Sequence, residues 1–113
     1  MSTQPPPPED DKVLALNPDP DKQGTRIDRW KYEAVQKALL EIIPRKGRIL
    51  PDGDEGVPFG ELAKRVKKML PRKKLEALGS VGWYTTVVKL DLEARGEIRR
   101  VPGSRPQRLT LKH

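Results

Sequence analysis

The side chains able to do chemistry in this sequence are cations, and they come in clusters. Seven lysines and arginines lie between positions 64 and 74 with no acidic residue among them. A second group, Arg99, Arg100, Arg105 and Arg108, is spaced along the C-terminal stretch. Clustered cations hold phosphates, because a polyanion releases its condensed counterions when they meet it. The charge is also unevenly divided. Residues 1–30 carry four basic and six acidic side chains, and residues 31–113 carry nineteen and ten. The formal charge of +7 therefore understates how basic the later part is.

Other chemistries find little support. Without a cysteine there is no disulfide framework, thiolate metal site or cysteine nucleophile. The only histidine is His113, and there is no glycine-rich phosphate loop, serine–histidine pair or metal-spaced cluster. Asp52, Asp54 and Glu55 lack the later carboxylate of a calcium loop and read as a solvated turn. No enzyme activity, cofactor or metal is expected. No apolar run is long enough to span a membrane, and the N-terminus lacks a signal-peptide pattern, so a cytoplasmic protein is expected.

Elements must position these cations, and hydrophobic spacing gives them. Residues 1–24, with the Pro5–Pro8 run and the acidic Glu9, Asp10 and Asp11, read as a flexible leader, and residues 25–113 as the domain. From Asp28 to Ile43 the stripe Tyr32, Val35, Ala38, Leu39 and Ile42 is helical, with Thr25 or Asp28 as cap and Trp30 at the core edge. Val57, Pro58 and Phe59 suit a short strand. Gly60 to Leu70 buries Leu62, Val66 and Met69, and Lys73 to Leu78 has room for one further turn. Ser80 caps a last helix with the stripe Val81, Tyr84, Val88 and Leu92, which Gly96 ends. On it Thr85, Thr86 and Lys89 are expected on the open side, with Trp83 near its start. Two alternating strands then flank the turn from Pro102 to Pro106.

This order, with Leu92, Glu93, Arg95, Gly96 and Ile98 at the passage from helix to strand, resembles the winged helix-turn-helix superfamily. The resemblance covers residues 28–112 and implies an α+β fold of three helices plus a C-terminal β-hairpin wing. The stretches Gly24–Asp28 and Trp83–Gly96 also resemble a small uncharacterised bacterial family, which implies no activity.

What the superfamily implies is binding to double-stranded DNA, with transcription regulation as the role. Phosphates would be held by Lys64, Lys67, Lys68, Arg72, Lys73 and Lys74, and by Arg99, Arg100, Arg105 and Arg108 on the wing, with Arg105 at its tip. Trp83, Thr85, Thr86 and Lys89 would face the bases. The competing expectation is a protein-interaction module using Trp30, Trp83 and Leu90, because winged helices also dock proteins. A homodimer fits either reading.

Overall fold

A computed structural model describes residues 11–113, so the proline run and most of the acidic cluster after it lie outside the described residues. The described residues are α+β, with four helices and two small antiparallel sheets among them. Its elements are β1 (Lys12–Ala15), β2 (Thr25–Asp28), α1 (Arg29–Ile42), β3 (Val57–Pro58), α2 (Phe59–Met69), α3 (Arg72–Leu78), α4 (Val81–Ala94), β4 (Ile98–Arg100) and β5 (Arg108–Leu111). Where three helices were expected there are four, because Arg72–Leu78 closes a helix of its own between Pro71 and Gly79.

The core draws on all four described helices, α3 contributing Leu78. Tyr32, Val35, Ala38 and Leu39 of α1 meet Leu62 and Val66 of α2 and Val88 and Leu92 of α4, with Val57, Ile98 and Leu109 closing one end. Leu92 is fully buried, as its spacing requires. Ser80 starts α4, its hydroxyl accepting the free Trp83 N–H at 3.1 Å. Gly96 takes φ +74° just past the helix end, a conformation open to a residue without Cβ.

The second sheet runs β3–β5–β4, so β5 is central. Gly56, leading into β3, has φ +80°, and a Cβ there would stand 2.7 Å from the Leu109 carbonyl oxygen. Only glycine lets the two backbones approach this closely.

Three expectations about the N-terminal part are corrected. Lys12–Ala15, placed within the leader, forms β1 and pairs antiparallel with β2. Ala15 is buried and Val13 packs on the core, so the domain reaches back to at least residue 12. Asp28 stands at the start of α1 but makes no side-chain cap. Its carboxylate instead accepts from Lys12 Nζ at 2.9 Å across the β1–β2 pair, which lowers its pKa. Trp30 is 42% exposed rather than set at the core edge. Two residues before Tyr32 is about 200° around the helix, the side opposite the core. Among the described residues no helix is long and apolar enough to cross a membrane.

Candidate nucleic-acid interface

Burying Leu62 and Val66, four residues apart, forces the intervening positions of α2 outward. Lys64, Lys67 and Lys68 are exposed as a result, as are Arg72, Lys73 and Lys74 on α3. The local acids answer them weakly. Lys64 stands 3.6 Å from Glu61 and Arg72 3.3 Å from Glu76, both exposed pairs of the kind that contribute little. Arg65, also exposed, extends the same basic surface.

On α4 the expectation is overturned at two of four positions. Thr85 is 2% exposed and Lys89 3% exposed, so neither faces an open groove. The physical reason is that α4 is packed by α1, by α2 and by β1, so its buried arc is wider than one apolar stripe. Inside that arc Lys89 is paired with Glu93, one turn on, and its Nζ lies 4.9 Å from the Phe59 ring centroid. Burial lowers its pKa, and Glu93 partly offsets this. Thr86 is half-buried, and its hydroxyl donates to the Gly82 carbonyl at 3.0 Å, leaving its lone pairs for a ligand. Trp83 is 47% exposed and stacks edge-on against Tyr84.

The hairpin divides in the same way. Arg105 is exposed in the turn between β4 and β5. Arg100 donates to Glu93 at 3.2 Å, and half-buried Arg99 stands 3.7 Å from Glu55. Arg108 is corrected outright. It is buried, and its guanidinium donates to Asp52 at 2.9 Å, to the Glu55 carbonyl at 2.9 Å and to the Gly56 carbonyl at 2.6 Å. Arg108, Leu109 and Thr110 are buried in succession, so both faces of β5 are covered and the polar position of its alternating pattern turns inward. Asp52, read as solvated, is the partner. The Asp54 amide and then Arg108 lower its pKa.

One constellation escaped the sequence reading. Asp91, in the last turns of α4, is fully buried. It accepts from Leu16 N at 2.8 Å, from Arg95 Nε at 2.9 Å and from the Tyr32 hydroxyl. Arg95 also donates to the Leu14 carbonyl at 3.2 Å, which ties β1 to α4. Burial and then the neighbouring carboxylate push the Tyr32 phenol well above its ordinary value. The available signal was the position of Asp91 between Val88 and Leu92, with an arginine four residues on.

The structure thus leaves the basic residues of α2 and α3 exposed. It leaves Arg105, Thr86 and Trp83 accessible, and it withdraws Thr85, Lys89 and Arg108. No group of histidine, cysteine or acidic residues able to hold a metal occurs among the described residues. No curated protein and no solved structure matches the chain. Residues 12–109, from the first residue of β1 into β5, match a family of unknown function. The chain belongs to that family, DUF6958.

Proposed function

We propose that this protein binds double-stranded DNA, chiefly through its phosphates, and that α1, α2, α4 and the β3–β5–β4 sheet act as a winged helix. The observation that carries the proposal is the basic surface of α2 and α3, seven exposed cations between residues 64 and 74. Support for the fold comes from the order of the elements, with α4 leading directly into the β4–β5 hairpin. With Thr85 and Lys89 buried, little of α4 is left to read bases, so sequence preference is weak. Titration of binding to random duplex DNA against salt tests the reading. Four or more phosphate contacts give a slope of about −3.6 or steeper in log affinity against log salt. Absence of binding at low salt ends it.

A second reading is favoured by one specific observation. The side of α4 carrying exposed Trp83 and half-buried Val87 and Leu90 bears no charge, and exposed Trp30 lies near Lys31, whose ammonium is 5.1 Å from the Tyr84 ring centroid. Such a surface suits a protein partner better than a phosphate. Loss of a partner on Trp83→Ala with duplex binding intact would support this second role.

A further inference from the structure

A cavity of about 340 Å³ opens between the end of α1, the loop that follows it and α2. This is within the size range of small-molecule sites. Its floor is apolar, with Ile43 and Val57 fully or almost fully buried and Leu111 half-buried. Three arginines, Arg45, Arg48 and Arg65, are among its lining residues. None of the three has an acidic partner among the described residues. Arg29, Arg72, Arg95, Arg99, Arg100 and Arg108 each stand within ion-pair distance of a carboxylate, while Arg26 and Arg105 share the unpaired state of the cavity arginines among the described residues.

Two features oppose an anion here. Glu41 lines the cavity, and the C-terminal end of α1 contributes about half a negative charge. Three full positive charges outweigh both. We propose that the cavity binds a small organic monoanion, a carboxylate whose short apolar body lies on the Ile43–Val57–Leu111 floor and whose head meets the arginines. A guanidinium fork suits a planar carboxylate because two N–H donors match its two oxygens. The apolar floor distinguishes such a ligand from free phosphate. The inference is independent of nucleic-acid binding and concerns a different set of residues, apart from the shared edge at Arg65.

The test is a methyl NMR titration of the full chain, without DNA, using hexanoate, 1-hexanol and inorganic phosphate. Hexanoate is expected to shift the Ile43, Val57 and Leu111 methyl signals saturably, at concentrations at least about tenfold below those needed for hexanol or phosphate, as charge-assisted hydrogen bonds imply. Arg48→Gln combined with Arg65→Gln should raise the hexanoate Kd by about tenfold or more. Both side chains are exposed, so an unchanged urea midpoint is expected beside that loss. The proposal is overturned if hexanol binds as well as hexanoate, if phosphate does, if the double variant binds unchanged, or if no saturable methyl shift occurs.

Discussion

Helices α4 and α2 are both rich in ionisable side chains, and they dispose of them in opposite ways. On α4, Lys89, Asp91 and Glu93 are drawn into or against the fold and find partners there. On α2, Lys64, Lys67 and Lys68 point to solvent with one weak partner among them. Charge buried with partners sets the geometry of a fold, because removing one partner strands the other away from water. Charge left exposed and unpaired contributes little to stability and remains available to a polyanion. On this contrast α4 is the structural helix, and α2 with α3 carries the exposed cations proposed to meet DNA, although α4 holds the position where a reading helix is expected.

The comparison breaks most readily at Asp91. Asp91→Ala leaves the Leu16 amide, the Tyr32 hydroxyl and Arg95 without their common acceptor. A loss of about 3–5 kcal/mol is expected in urea denaturation. A change below about 1 kcal/mol would mean that the buried carboxylate does not organise this end of the domain.

Removing residues 1–16 attacks the same hub from the other side. It deletes β1, the Leu16 amide and the Leu14 carbonyl that Arg95 reaches. The thermal midpoint should drop by roughly ten degrees or more, as a loss of a few kcal/mol implies in a domain of this size. Coincident melts would return residues 12–16 to the status of a leader.

Lys89 gives a smaller and more specific signal. Lys89→Ala removes both the stem packed in the fold and the cation beside Phe59, and should lower stability by about 1–3 kcal/mol. Lys89→Met keeps the volume, and Arg100 still answers Glu93, so it should cost less than about 1 kcal/mol. Equal losses in the two variants would show that charge, not packing, holds this position.

Alkaline titration sharpens the role of Tyr32. Its folded pKa is raised above the ordinary 10.0, so the folded state keeps a proton that the unfolded state gives up. Stability from this group is complete below about pH 10 and falls as pH rises beyond it. Lys89, with a lowered pKa, acts in the opposite direction nearby. The difference between wild type and Tyr32→Phe isolates the phenol, and wild type should lose stability more steeply above pH 10. Parallel curves would contradict a buried, hydrogen-bonded phenol.

What was legible in the sequence follows from the same physics. The Ser80 cap, the burial of Leu92 and the short strand at Val57–Pro58 were readable, because each rests on local spacing or a local hydrogen bond. β1 was not. It is four residues long, buries only Ala15, and depends on a partner strand thirteen residues away. Thr85, Lys89 and Arg108 were assigned outward because polar side chains on an amphipathic pattern usually are. They turned inward because α4 is packed on several sides and both faces of β5 are covered. Lys89 and Arg108 keep their charges paired there, and the Thr85 hydroxyl finds no partner. The exposed cations of α2 needed no such context, since Leu62 and Val66 fix which side faces solvent, although Met69, expected on their stripe, is 44% exposed at the helix end.

The division of labour between the two regions is tested most directly by one variant measured in two ways. Lys67, Lys68, Lys73 and Lys74 are replaced together by glutamine, and urea stability and the salt dependence of duplex DNA binding are recorded on the same samples. Unchanged stability is expected, with weaker binding to every sequence and a salt slope shallower by about one for each lysine that meets a phosphate. Binding and slope equal to those of the wild-type protein would contradict the account.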